Sequence, residues 1–220
     1  MKREHTRLKM MDQREYASHP TLDPIKFYRL PILGKLYRRR VELCLAECSG
    51  GLRVLEVGFG SGVTFLNLSE LYGEIHGIDL TSPVEEVTAV FTNKHLPVFL
   101  KNGNVLKMDY ADNYFDTVLL ISILEHLKPA DLDMAFREIF RVLKPGGQVV
   151  FGIPVERPLM VFVYRLLGYD IRKHHFSTEK DVCSSAQRVF GDGKVVEMNS
   201  LFGPIYEVGA YVKAGSPSPE

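Results

Sequence analysis

The sequence predicts an α/β fold: a doubly wound, mostly parallel sheet of seven strands that closes with an antiparallel C-terminal strand pair. Three observations predict it. From about residue 50 to 153, short apolar runs alternate with stretches of helical period, the rhythm of strand-helix-strand units. The first run, "RVLEV", opens directly into "GFGSG", a strand-to-helix turn largely stripped of side chains. The last two runs, "KVVEMNSLF" and "IYEVGAYVKA", are separated only by "GP", too short a link for a crossover.

In chain order, residues 1 to about 30 read as an irregular basic arm. Pro31 opens a helix on which Tyr37, Val41, Cys44, Leu45 and Cys48 share one face, and "SGG" at 49–51 ends it. Arm and helix form a unit over 1–50, followed by the main domain over 51–214 and a frayed tail over 215–220. Strands are expected at 53–57, 74–79, 98–103, 116–122 and 147–153. Helices fall between them at about 61–72, 83–94 and 130–143, with Pro83 in the first turn of the second. Pro145 and Gly146 stop the third. Past residue 153 the rhythm changes. The stretch 155–177 reads as an insert with a helix near 158–167. A further helix over 178–189 is capped by Ser177 or Thr178, with Glu179 and Asp181 in its first turn.

The chain of 220 residues is long enough for one self-supporting core. Its three cysteines are too few and too irregularly spaced for a disulfide framework or a four-ligand zinc site, and no metal site is expected. The N-terminal segment has no apolar stretch of the kind a secretory signal needs. The longest apolar run, "PLMVFVYRLLGY", is too short to span a bilayer. A cytoplasmic protein is expected. Net charge is zero but unevenly placed, +7 over residues 1–40 and −7 over the rest. Such an arm suits an anionic partner, or equally a solvated tail or a mate for the acidic body; nucleic acid is not the expected partner.

The glycine stretch carries the functional signal. A strand, a glycine-rich turn and a helix aim backbone N–H groups at a ligand. Gly58 permits the tight turn, Gly60 the close approach, and Gly62 the packing of helix on strand. The dinucleotide fingerprint has the order GxGxxG; here Gly62 comes one place early and Val63 fills the sixth position, which disfavours NAD. Asp79 ends the second strand 21 residues past Gly58, where a carboxylate can accept from ribose hydroxyls or simply cap the following helix.

These residues, with "IHGIDL", "NGNVLKMDYADNYFDTVLLISILEHL" and "EIFRVLKPGGQVVFGIP" in that order, resemble the class I S-adenosylmethionine-dependent methyltransferases. The resemblance covers about residues 50–154 and is nearest the ubiquinone and menaquinone group. It implies a Rossmann-like domain that binds S-adenosyl-L-methionine. By the same resemblance, Glu56 would orient the turn and face the cofactor's amino-acid end, while Gly58, Phe59 and Gly60 line that end. Asp79 would hold the ribose and Leu80 would pack on the adenine. Asn104 stands where an aspartate is common and would accept from the adenine amino group, beside the Val105 N–H. Ile121 and Ser122 would sit near the methionine portion.

Methyl transfer is an in-line displacement, so the protein has chiefly to position two reactants. Candidate bases for the acceptor's proton are His126, His174 and His175, with Tyr16 and Tyr28 from the arm as others. His174 and His175, being neighbours, point apart and make a poor metal pair. The implied acceptor is a small or lipid-like molecule. The insert, apolar in "LMVFVY" and basic in "RKHH", suits a lid, a dimer contact or a peripheral membrane contact. The competing readings are a cofactor-binding module without turnover and an NAD-dependent oxidoreductase.

Overall fold

The computed structural model describes residues 6–16, 24–31, 33–155, 175–200 and 203–215. Seven strands form one sheet: β1 (Gly51–Val57), β2 (Tyr72–Asp79), β3 (Val98–Asn102), β4 (Phe115–Ile121), β5 (Leu143–Pro154), β6 (Lys194–Ser200) and β7 (Gly203–Val212). Their order is β3-β2-β1-β4-β5-β7-β6. The first five strands pair in parallel, and β7 runs antiparallel to both β5 and β6. The expected fold class is therefore the one observed. Strand order reverses between β1 and β4, and the crevice that this reversal opens at the strands' carboxyl ends is where such sheets take ligands.

Alternation along the strands divides the core into two layers. Leu55, Val57, Val118, Leu120, Val149 and Phe151 face helices α4 (Pro129–Val142) and α5 (Glu179–Phe190). Val54, Leu119 and Val150 face the other way, against α1 (Leu33–Glu47), α2 (Phe65–Leu68), α3 (Val84–Thr92) and the arm. The face predicted for α1 is the buried one: Val41, Cys44, Leu45 and Cys48 are each at most 5% exposed. Burial pushes the Cys44 thiol pKa well above its ordinary value, and both thiols are buried with no disulfide between them, as apolar packing residues are.

The described part of the arm is docked. Met11, Tyr16 and Tyr28 lie in the second core layer. Asn67 binds the arm twice, accepting from the Lys9 amide at 2.9 Å and donating to the Arg7 carbonyl at 2.9 Å. Ion pairs Lys9–Glu70 and Lys94–Glu15 tie it to the body as well, so part of its charge meets acidic partners on the domain.

Three local expectations need correction. The helix predicted over 61–72 shrinks to Phe65–Leu68, because Gly62 has φ +74°, outside the right-handed helical region. A Cβ on Gly62 would also meet the rings of Phe65 and Phe91 at 2.7 Å. Strand β5 begins at Leu143, directly after α4, with a register shift between its pairings to Phe115 and Thr117; Pro145 and Gly146 thus lie within an irregular strand start. The turn between the last two strands is not "GP": Gly203 and Pro204 begin β7, the end of a strand where a proline's missing N–H is tolerated. The helix expected at 158–167 lies outside the described residues. Thr178 is the cap of α5, in a reciprocal capping box with Asp181.

Candidate active site

The site begins where β1 ends. Gly58, Gly60 and Gly62 all have positive φ, +73°, +53° and +74°, a conformation in which side chains are strained. At Gly58 a Cβ would lie 2.1 Å from Cδ1 of Ile123, so the turn also needs this glycine in order to pass the segment after β4. The turn is fastened to β2: the Gly58 amide donates to the Ile78 carbonyl at 2.7 Å, and the Gly60 amide to Oδ2 of Asp79 at 3.1 Å. The other carboxylate oxygen of Asp79 accepts from the amides of Thr81 and Ser82, each at 2.9 Å. Asp79 therefore caps its own loop, and it keeps a lone pair on Oδ2 for a ligand hydroxyl. Ser82 closes the loop from the other side by donating to the Gly60 carbonyl at 3.2 Å.

The remaining expected residues occupy different depths. Glu56 is 4% exposed and accepts from the Thr64 hydroxyl, which braces the turn from within. The Phe59 ring is buried against Phe65, so what Phe59 offers the turn is its backbone. Leu80 is 70% exposed, a free apolar side chain just beyond Asp79. Asn104 is exposed, and its Oδ1 accepts from the Leu106 amide at 2.9 Å, making an Asx turn. Val105 is buried.

Across the crevice, Ile121 ends β4 and Ser122 follows with φ +56°. A left-handed serine costs backbone strain, a condition that gathers at functional sites. It is held by its amide, which donates to the Gly152 carbonyl at 2.8 Å. Its hydroxyl lies 3.0 Å from that of Tyr206, whose pKa burial drives far above the ordinary tyrosine value. Beyond lies the turn Leu124–His126. The Glu125 carbonyl accepts from the amides of Phe176 and Ser177, at 2.8 and 3.3 Å. Ser177 Oγ donates to the Leu127 carbonyl at 2.6 Å. These bonds bring His175 to His126, with ring centroids 5.1 Å apart. His174 lies outside the described residues.

Several contributors escaped the sequence reading. Thr64, Ser82 and Tyr206 carry no local pattern that singles them out. Ile123 and Glu125 stand inside the quoted "LLISILEHL" block, where the histidine drew the attention. Buried Glu125, 2% exposed, had a signal: an acid beside a histidine at the carboxyl end of a strand.

Comparison with known proteins bears on the family and the fold. Residues 55–151 match the family model described as a methyltransferase domain. The chain is 31% identical over 125 residues to the ubiquinone/menaquinone biosynthesis C-methyltransferase UbiE of Vibrio cholerae, covering 51% of this chain and 47% of that protein. It is 34% identical over 131 residues to a demethylmenaquinone methyltransferase of Staphylococcus aureus, covering 58% and 53%. Among solved structures, the cyclase SpnF superposes with a TM-score of 0.63 at 20% identity over 81% of each chain. The matched segment is similar to class I S-adenosylmethionine-dependent methyltransferases in sequence and supports a methyltransferase domain over residues 55–151. It spans about half the length of the curated relatives it matches.

Proposed function

We propose that the protein binds S-adenosylmethionine in the crevice between the ends of β1, β2 and β4 and transfers its methyl group to a small, lipid-like acceptor. The observation that carries the reading is the Asp79 to Gly60 bond. It sets a ribose-accepting carboxylate and a side-chain-free turn side by side at adjoining strand ends. The donor set fits the cofactor in chemistry: two anionic oxygens, a glycine turn in a conformation that strains side chains, and exposed Leu80 as an apolar platform.

S-adenosylmethionine supplies an electrophilic methyl on a sulfonium. The chain's own part is to bind and orient. The charge on sulfur vanishes during transfer, so an acid held against it would favour the ground state over the transition state. Glu56, engaged with Thr64, and Asp79, engaged with three amides, have other duties. His126 and His175 are the candidates for taking a proton from the acceptor. Quinone-like acceptors follow from the named activities of the relatives, and the apolar and basic composition of 155–177 suits a lipid-like one. We read 51–214 as the methyltransferase domain and 1–50 as its cover.

The fold also serves a protein named as a cyclase, so the site and not the fold has to decide the activity. Titration calorimetry with S-adenosylmethionine, S-adenosylhomocysteine and NADH, followed by transfer of labelled methyl to a panel of quinols and phenols, tests the reading. Binding of the two adenosyl compounds and not NADH is expected. NADH binding alone overturns it, and cofactor binding without transfer leaves a binding module.

A further inference from the structure

Past the cofactor crevice the chain assembles a second group of donors. Glu125 and His126 come from the turn after β4, and His175 from the approach to α5, 49 residues later than His126. One carboxylate oxygen and two imidazole nitrogens from these three lie within 4.8 Å of one another. The grouping is built into the fold: two backbone bonds onto the Glu125 carbonyl and the Ser177 hydroxyl bond onto Leu127 clamp the His175 segment to the turn. The α5 capping box fixes the end of that segment. Glu125 is 2% exposed whereas His126 is exposed and His175 half-buried, so the group is closed behind and open in front.

We propose that Glu125, His126 and His175 form a three-ligand site for a first-row divalent cation, with a coordination position left for an oxygen of the methyl acceptor. Two imidazoles with one carboxylate are a set that zinc takes while keeping an open position. Imidazole nitrogen suits zinc, iron or cobalt, whereas magnesium and calcium prefer oxygen throughout. The site lies three residues past strained Ser122, on the crevice side of the sheet. A cation there would hold a hydroxyl or enol oxygen and lower its pKa, in place of the direct proton transfer to His126 or His175 that the metal-free site would offer. Metal binding stands on the three ligands alone; the acceptor's use of it rests on the methyl-transfer reading above.

The test uses the full chain without a histidine tag, freed of metal by a chelator and titrated with CoCl2 and ZnCl2. One equivalent of Co2+ with visible d–d absorption, displaced by Zn2+, is expected. His126→Ala and His175→Ala should each weaken binding at least tenfold, and the double variant should abolish it. Circular dichroism and S-adenosylhomocysteine affinity report whether each variant is folded; half-buried His175→Gln serves if an alanine variant is not. Absence of saturable Co2+ and Zn2+ binding by the wild type overturns the site, as does undiminished binding by the folded double variant. Loss of S-adenosylhomocysteine binding by the wild type, with metal binding intact, would sink the cofactor reading and leave the metal site standing.

Discussion

Asp79 and Gly60 are joined across the ends of β1 and β2 by a 3.1 Å bond from the glycine amide to the carboxylate. The same carboxylate holds the amides of Thr81 and Ser82, so the group proposed to hold the cofactor also holds the loops that shape the crevice. Its removal acts on both.

Asp79→Ala should therefore weaken S-adenosylhomocysteine binding by about 2–4 kcal/mol and also lower the melting temperature, because three amides lose a charged acceptor. Asp79→Asn keeps one acceptor oxygen and should recover much of the stability with less of the affinity. Thermal unfolding and calorimetric titration of the two variants separate the roles. Unchanged affinity in a folded Asp79→Ala removes the residue from the site.

At the turn, Gly60→Val should abolish binding. Its φ of +53° opposes a β-branched side chain, and the added carbons fill the face that a ligand approaches. The expected result is a thermal shift assay with no response to S-adenosylhomocysteine. A normal response would assign the glycine to local packing.

Asn104 has its Oδ1 bonded to the Leu106 amide, yet a carbonyl oxygen carries a second lone pair. Asn104→Asp keeps the Asx turn, adds charge assistance to the adenine amino group, and should tighten binding by on the order of 1 kcal/mol. Turnover at saturation should stay the same, since adenine contacts are alike in ground and transition states. Equal affinities would leave Asn104 as a turn residue only.

On the far edge of the sheet, Glu197 of β6 stands directly opposite Glu207 of β7. Burial, helped by the charges of Glu179 and Glu197, pushes the Glu207 pKa up. Like charges paired across strands are destabilising, and Glu197→Lys should raise stability at neutral pH by roughly 0.5–1 kcal/mol. The gain should fade as pH falls and Glu207 protonates, the folded state being the one that holds that proton more tightly. Denaturant melts at two pH values measure it.

The sheet, its fold class and the glycine turn were legible because their signals are local: apolar runs such as "RVLEV", an acid ending "IHGID", and turns free of side chains. What escaped depends on distance. That Gly58 must make room for Ile123, that Tyr206 reaches Ser122 across 84 residues, and that Glu125 and His126 meet His175 are products of packing that no window of sequence contains. The shortened α2 failed for the opposite reason. Its apolar period is genuine, but the left-handed Gly62 forbids the helix an earlier start.

The docked arm has a kinetic consequence. Its bonds join residues far apart in the chain, with separations of 58 and 60 at Asn67 and 79 at Glu15. Closing such long loops costs entropy that a few surface bonds return slowly. The arm should therefore complete its docking after the sheet has formed, and it should be among the first elements to lift away. Each such opening takes Met11 and Tyr16 out of the second core layer while the strands remain paired. The amides of Leu8 and Lys9 should accordingly exchange with solvent in a sub-global event, well before those of β1 and β4.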